Sequence, residues 1–415
     1  MFPLYTVATL KLEKKQWLIL LWILLFVFQD ALTNISSVFS YIDEAPVILF
    51  LIKLIVQIFK TGKITFKKEN RKYIVAISLF AFSGLVGNMI FHYQPLNLVL
   101  IDLIANLKFW GAIAYFSGLV RESDLEGDWI PKTAKYISIA FLLLFLIDRA
   151  INIFPAEYRY GMKSAILFYA HPTYLAGICA FLIAILSLYD TKKYGLFIAT
   201  DLILLIFTLR SKAIASAIIY VVLYVVIKKL HGKLKTWQMV VVGVVGVACA
   251  WSQIYFYFFS LAGQSARSVM LMTSLLIIKD YFPIGTGFGT FASHSAAVNY
   301  SPVYIKYGFE LIYELRNSSK GTFFDDQFWP IIFGQTGLVG TVSYIYLLVQ
   351  LFRRIQGMYR QNQNSYMAAL FVFIYLMISS IAEPAFNNSV AIPLAMALVL
   401  AMKKRTNKEL TINYV

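Results

Sequence analysis

Residues 165–189 read AILFYAHPTYLAGICAFLIAILSLY, a stretch without a single Asp, Glu, Lys or Arg. A bilayer core of about 30 Å is crossed by roughly 20 apolar residues in a helix, because backbone amide groups cannot be left without hydrogen-bond partners in hydrocarbon. This stretch is both long enough and apolar enough. It therefore predicts a transmembrane helix.

Apolar segments of membrane-spanning length recur from one end of the chain to the other. We predict about 12 of them, which indicates an all-α polytopic membrane protein. The predicted spans are residues 17–35, 45–59, 73–92, 96–120, 136–154, 165–189, 194–209, 213–227, 237–259, 328–352, 366–381 and 390–402. Because they recur throughout, residues 1–415 are predicted to form a single integral membrane domain.

The composition favours the same fold class. Of the 415 residues, 60% are hydrophobic and 14% are charged, with a formal net charge of +16. An ordinary soluble domain has roughly 25% charged residues, so a soluble, disordered or fibrous protein is excluded. The two cysteines, Cys179 and Cys249, lie in apolar stretches without a CxxC motif or a His neighbour. We therefore expect no disulfide framework, no metal site and no cofactor.

Lysine and arginine collect in loops that all fall on one side of a twelve-span arrangement. Short basic loops stay on the cytoplasmic side, so both termini are predicted to be cytoplasmic. The long loop at residues 260–327, between the ninth and tenth spans, is then external. This sidedness accounts for the excess of positive charge, and no nucleic-acid partner is expected.

Ten basic residues oppose this rule because they fall on the predicted outer side, and three arginines among them are the candidates for a binding site: Arg149, Arg210 and Arg267. A guanidinium is always charged and presents a planar fork of donors that matches phosphate oxygens. Two or three of them together would suit a diphosphate, and a polyprenyl diphosphate would explain a protein built of spans. The alternatives are contacts with anionic lipid headgroups and, for Arg149, a pair with the adjacent Asp148.

The external loop begins with an apolar segment, residues 268–282, that is too short to span. We expect a helix that lies on the membrane or dips into it. It leads into PIGTGFGTF at residues 283–291, where Gly285, Gly287 and Gly289 permit tight turns and close backbone approach. The glycines are candidates for a substrate-facing loop, with a structural turn as the alternative. No strand precedes them, so a dinucleotide-binding loop is rejected.

Two adjacent carboxylates, Asp325 and Asp326, lie where the loop re-enters the membrane. A carboxylate within hydrogen-bond reach of a sugar hydroxyl is a suitable general base, and Asp326 is the preferred candidate. His294 is the competing base, because imidazole titrates near neutrality. Alternatively, the aspartates are ordinary loop residues that pair with Arg316 or Lys320.

Carboxylates inside predicted spans keep a transport function open. Asp30, Asp102 and Asp201 are such residues, and proton coupling in a transporter requires groups near the middle of the membrane. Lys53 and Lys108 are candidate partners for them.

Four stretches form an ordered set of motifs between about residues 165 and 345. They are HPTYLAG from His171, TLRSK around Arg210, the stretch from Arg267 through DYFPIGTGFG at 280–289, and DQFW at 326–329 followed by Gly337 and Gly340. In this order they resemble motifs of the O-antigen polymerase and ligase superfamily, the Wzy-type polymerases and lipid A core ligases of bacterial envelopes.

The resemblance implies a metal-independent glycosyltransferase of the GT-C type in the bacterial cytoplasmic membrane. Its substrate would be an undecaprenyl-diphosphate-linked oligosaccharide on the outer face, and its partners membrane lipids and other polysaccharide-assembly proteins. In that case Arg210 and Arg267, with Arg149, would hold the diphosphate, and His171 and the glycine stretch would border the substrate.

One departure from the pattern bears on the reaction. Ligases resemble one another in a histidine where this chain has Asp326, whereas polymerases vary more at that position. We therefore expect a polymerase of the oligosaccharide repeat units of a capsule, exopolysaccharide or O-antigen. A lipid-linked oligosaccharide flippase and a ligase that uses a different acceptor are the alternatives.

Overall fold

The computed structural model describes residues 13–64, 68–233, 255, 265–317 and 323–404. In these ranges the chain is helical apart from turns, 3-10 segments and one antiparallel pair of two-residue strands, β1 (Tyr158–Arg159) and β2 (Met162–Lys163). Seven of the described helices are long and apolar enough to cross a membrane. The chain is therefore an all-α membrane protein, as the sequence predicts.

The described ranges contain 15 α-helices. They are α1 (Lys14–Val27), α2 (Gln29–Thr33), α3 (Ala45–Thr61), α4 (Arg71–Phe91), α5 (Leu96–Leu119), α6 (Trp129–Ile151), α7 (Pro172–Tyr189), α8 (Gly195–Phe207), α9 (Ser211–Tyr224), α10 (Ala266–Asp280), α11 (His294–Val298), α12 (Pro302–Lys306), α13 (Phe328–Met358), α14 (Gln363–Ala382) and α15 (Ala391–Lys403). The span predicted at 237–259 lies, except for residue 255, outside the described residues.

The helix predicted over residues 165–189 begins later than expected. Residues 165–171 form a loop, and α7 starts at Pro172 with His171 as its N-cap. Proline has no N–H and a fixed φ, so it fits the first turn of a helix and not its interior. The prediction was wrong here because it weighed apolar length above this local signal.

The buried centre of the molecule is built from α7, α14 and α15. α14 packs against α7, α9, α13 and α15, and most side chains of α7 and α14 are buried. By contrast, α3 packs on α5 and leaves Leu49, Ile52 and Ile55 exposed. Exposed apolar side chains on an outer helix are what contact with lipid tails requires.

α13 is broken about a third of the way from its amino end, at Gly337, where φ is 55° and ψ is −153°. The break separates the carbonyls of Gly334 and Gln335 from their helical partners. Two backbone N–H groups of residues 283–289, hereafter the glycine segment, replace those partners: Thr286 N donates to Gly334 O (3.0 Å) and Gly287 N to Gln335 O (2.9 Å). The break and the glycine segment therefore form one structural unit.

The glycine segment reaches into the bundle beside α4. An added Cβ on Gly287 would lie 2.6 Å from the backbone nitrogen of Asn88, and the side-chain amide of Asn88 exchanges two hydrogen bonds with the backbone of Phe288 (2.8 and 2.9 Å). Asn88 is three residues before the end of α4, and Ser83, which donates to Ile284 O, is eight before it. At 1.5 Å per residue, the segment descends roughly 10 Å along α4.

Non-helical backbone inside the helix bundle of a membrane protein is tolerated only where other protein groups form hydrogen bonds with its N–H and carbonyl groups. The packing explains Gly285, Gly287 and Gly289 as structural residues: all three are buried and have positive φ values of 76°, 99° and 74°. This is the alternative of a structural turn that the sequence left open. A direct role for these glycines in substrate binding stays a prediction.

The helix predicted at 268–282 is α10, which packs on α13. Met272, Leu275 and Leu276 are exposed on its other side. This apolar outer face is consistent with a helix at the membrane surface, and its position relative to a bilayer stays a prediction.

Candidate functional site

Three ion pairs lie at the end of the bundle where α7 and α9 begin and α14 ends. Glu157 is shared, because it also pairs with Arg159 (3.1 Å), and the six residues of the three pairs, hereafter the charged cluster, are Glu157, Arg210, Lys212, Arg267, Asp326 and Glu383. The contacts of Lys72 with Gln350 and of Lys193 with Asp128 lie at the opposite end of these helices. The cluster thus occupies the end that the sequence predicts to be external.

Arg210 is the N-cap residue of α9 and is 8% exposed. Its Nη2 lies 2.7 and 2.6 Å from the two carboxylate oxygens of Glu157 and 3.0 Å from Nε2 of His171. Its Nε is buried and has no hydrogen-bond partner among the described residues. Arg210 therefore retains donor capacity beyond its protein contacts.

His171 lies beside this arginine as the N-cap residue of α7, and the proton of its ring is assigned to Nδ1, which then donates to Thr173 Oγ1 (2.7 Å). Burial, and then the charge of Arg210, lower the pKa of His171 to about 4. The ring is thus neutral near pH 7, which lets Nε2 accept a hydrogen bond from Arg210.

Lys212 and Glu383 form the most enclosed pair of the cluster, with side chains 9% and 12% exposed. Lys212 lies in the first turn of α9, and Glu383 is the C-cap residue of α14. Lys212 also interacts electrostatically with both Arg210 and Arg267. The three cations are therefore near neighbours whose like charges repel one another.

Arg267, in the first turn of α10, donates from Nη2 to Oδ2 of Asp326 at 3.3 Å. These side chains are 27% and 35% exposed, so this pair is longer and more open than the other two. Burial raises the pKa of Asp326 above its ordinary value, and Arg267 opposes that shift. A carboxylate with a raised pKa is a better base for a hydroxyl proton than an ordinary surface aspartate.

The competing bases are close by. Asp325 ends the 3-10 helix Phe323–Asp325, and burial, followed by the charge of Asp326, raises its pKa. His294 is the exposed first residue of α11 and interacts electrostatically with Asp325. The structure thus brings the three candidate bases together. Lys320, an alternative partner for the aspartates, lies outside the described residues.

Arg149 has a different environment from Arg210 and Arg267. Its Nη1 donates to the backbone carbonyl of Lys163 (2.7 Å), and its guanidinium lies over the rings of Phe145 and Phe207 at 4.6 and 5.6 Å. The alternative pairing with Asp148 is not formed, because Asp148 pairs with Lys163 (2.8 Å). These described contacts hold Arg149 beneath the β1–β2 hairpin.

The carboxylates considered for transport are each bound within the protein. Asp102 accepts from Gly289 N (2.9 Å) and from the side chain of Asn106, which ties the glycine segment to α5. Asp201 accepts from Ser138 Oγ (2.8 Å). Lys108, a candidate partner for these residues, instead pairs with Asp43 and Glu44.

Asp30 accepts from Ala170 N (2.9 Å) and borders a small cleft. Phe26, Gln29, Tyr169, Tyr174, Ile178, Ser389, Val390 and Pro393 complete the lining. Tyr174 interacts electrostatically with Asp30, Glu383 and Asp325, so this cleft is close to the charged cluster.

Sequence reasoning missed Glu157, Lys212 and Glu383 as site residues. The available signal was charge: Lys212 opposes the sidedness rule, and Glu383 lies in the last predicted outer loop. Pairing could not be read from the chain, because Lys212 and Glu383 belong to helices far apart in sequence.

No protein-family model matches the chain, and no curated protein matches it.

Proposed function

We propose that the protein is a glycosyltransferase that polymerises undecaprenyl-diphosphate-linked oligosaccharide repeat units of a capsule, exopolysaccharide or O-antigen. One observation supports this most strongly: Arg210 and Arg267, on different helices, lie near the same lysine, Lys212, and each forms an ion pair with a carboxylate at this end of the bundle. Guanidinium groups held at fixed positions match the oxygens of a diphosphate. A lipid carrier accounts for a site at the end of membrane helices.

In this reaction the hydroxyl oxygen of a new lipid-linked unit attacks the anomeric carbon that links the growing chain to its diphosphate. The bond from that carbon to the diphosphate oxygen breaks, and the lipid diphosphate leaves with the electron pair. Asp326 takes the hydroxyl proton. Arg210 and Arg267 stabilise the charge that develops on the leaving diphosphate, an effect that is largest in a preorganised, partly buried site.

The proposal includes the finer features of the fold. It assumes about 12 spans in a GT-C-type arrangement, both termini in the cytoplasm, and the charged cluster on the outer face of the bacterial cytoplasmic membrane. Membrane lipids and other polysaccharide-assembly proteins would be its partners. No metal or other cofactor takes part.

The experiment is elongation by the purified full-length protein supplied with one lipid-linked repeat. The wild type should give a ladder of longer products. Arg210→Ala and Arg267→Ala should each lower elongation about 100- to 1,000-fold, the range for losing one donor to a developing anion. Lys306→Ala is the matched control, because Lys306 contacts Tyr281 in the external loop, and it should leave the ladder intact.

A full ladder from both arginine variants would refute the proposal. A flippase is the second candidate, and Asp201 is the observation that favours it: the residue is fully buried, and its Oδ1 has no hydrogen-bond partner among the described residues. Movement of labelled lipid-linked repeats across vesicle membranes without elongation, lost in Asp201→Asn, would decide for the flippase.

A further inference from the structure

The amino end of α9 carries two cations, Arg210 as the N-cap residue and Lys212 in the first turn. The helix dipole places partial positive charge at this end, so cations there are unfavourable unless anions lie close to them. Glu157 and Glu383 supply those anions in the structure. Both carboxylates come from other elements, which means that the fold brings negative charge to a helix end that its own sequence makes strongly positive.

The two carboxylates leave part of the binding capacity of this helix end unused. Arg210 is more than nine-tenths buried, and its Nε has no partner among the described residues. Lys212 has three donor hydrogens, and its ion pair is with Glu383. Backbone N–H groups at the first turn of a helix also bind phosphate oxygens. The α9 amino end therefore offers donors to an anion with several oxygens.

The position of Lys212 adds a geometric argument. It lies in the first turn of the helix that Arg210 caps, and the charges of Arg210 and Arg267 both repel its own. A diphosphate has two charged phosphates, and a third cation near the two arginines can contact an oxygen of either one. An anion with a single phosphate would gain much less from a third cation.

We propose that Lys212 is a further ligand of the substrate diphosphate, and that Glu383 occupies its ammonium only in the empty protein and yields it to a phosphate oxygen. This inference rests on the proposed function, because it concerns the same diphosphate. It adds an exchange step, in which a phosphate oxygen of the substrate replaces the Glu383 carboxylate at the Lys212 ammonium. The charge of Lys212 is therefore neutralised both before and after the substrate binds.

The ligand chemistry, a phosphate group, has two sources: a lipid-linked diphosphate and the single phosphate of an anionic phospholipid. The test is therefore binding of inorganic diphosphate and of orthophosphate to the full-length protein in nanodiscs of phosphatidylcholine, repeated with phosphatidylglycerol added. We expect diphosphate to bind more tightly than orthophosphate in both lipids. If phosphatidylglycerol abolishes diphosphate binding, the site belongs to lipid headgroups and the inference is overturned.

Two variants distinguish a Glu383 that gives up Lys212 to the diphosphate from a Glu383 that only positions Lys212. Lys212→Ala should weaken diphosphate binding about 10- to 100-fold, the ratio for losing one hydrogen bond between charged groups, while orthophosphate changes little. Glu383→Gln should tighten diphosphate binding, because the competing anion is gone. If Glu383→Gln weakens it as Lys212→Ala does, Glu383 positions Lys212 and does not compete, and the exchange is refuted.

Loss of one partner from an enclosed pair can prevent folding, so the double variant Lys212→Met/Glu383→Gln is included; it removes both charges at similar volume. It should fold and bind diphosphate as weakly as Lys212→Ala. Wild-type affinity in the double variant would overturn the inference, while the elongation results with Arg210→Ala and Arg267→Ala would still stand. A wild type that neither binds diphosphate nor elongates would overturn both proposals. Lys306→Ala serves again as the control lysine.

Discussion

The glycine segment and the charged cluster lie near the same end of the bundle but are held together differently. In the glycine segment, backbone N–H and carbonyl groups pair with α13, and the side chains of Ser83, Asn88 and Asp102 pair with its remaining backbone groups. In the charged cluster, side chains form ion pairs that are partly open to solvent. The first region is held by hydrogen bonds of its backbone and suits a scaffold; the ion pairs of the second can exchange partners and suit binding.

The largest effect is expected for Gly337→Ala, which tests the packing of the glycine segment against α13. A Cβ there would lie 2.7 Å from the backbone carbon of Ile284, and the φ and ψ of Gly337 are accessible essentially only to glycine. Gly337→Ala should cost more than about 4 kcal/mol and leave little folded protein. Gly357→Ala, in the same helix with no atom within 4 Å of the added Cβ, is the matched control. Yield and thermal unfolding in detergent measure both; equal stability of the two variants would contradict the packing argument.

The next largest effect is expected for Asp326→Asn, which tests Asp326 of the charged cluster as the general base. As a general base it must be ionised, so Asp326→Asn should lower elongation about 100- to 10,000-fold without unfolding the protein. Because burial raises the pKa of Asp326, wild-type elongation should increase with pH through a value above that of an ordinary aspartate. Asp325→Asn and His294→Ala are the comparisons. A larger loss in either would transfer the role of base to that residue.

A smaller effect connects the two regions through Asp102. Asp102→Ala leaves Gly289 N without its acceptor and should cost about 1–3 kcal/mol of stability. Asp102→Asn keeps an acceptor oxygen, so we expect it to retain both fold and elongation. If Asp102→Asn stays folded but loses all activity, the charge itself is needed, which would favour the transport alternative.

The smallest effect concerns His171. A folded-state pKa of about 4, below the usual 6.5, means that the unfolded chain takes up a proton first as the pH falls. Stability should therefore decrease as the pH drops from about 6.5 to about 4, by less than about 1 kcal/mol because the ring is partly exposed and screened. His171→Asn should show a shallower decrease in thermal unfolding experiments. Identical pH profiles would mean that His171 is not held neutral.

Much of this site could be predicted, because membrane sidedness makes outer cations conspicuous. Arg210 and Arg267 were identified by that rule, and both lie in the charged cluster. Arg149 met the same rule but lies over two aromatic rings. The rule detects a cation that needs a partner; whether the partner is a carboxylate, a carbonyl or a ring depends on neighbours that are distant in sequence.

Apolar length alone determined that this chain forms membrane helices and approximately where they lie, because the cost of unpaired backbone groups in hydrocarbon depends on each segment by itself. The local signal of Pro172 also determined where α7 begins. Only the tertiary structure decided that α13 breaks at Gly337 against the glycine segment, and that Lys212 of α9 meets Glu383 of α14. These are contacts between elements that are distant in sequence, so they contribute to the free energy of folding only when the helices have packed.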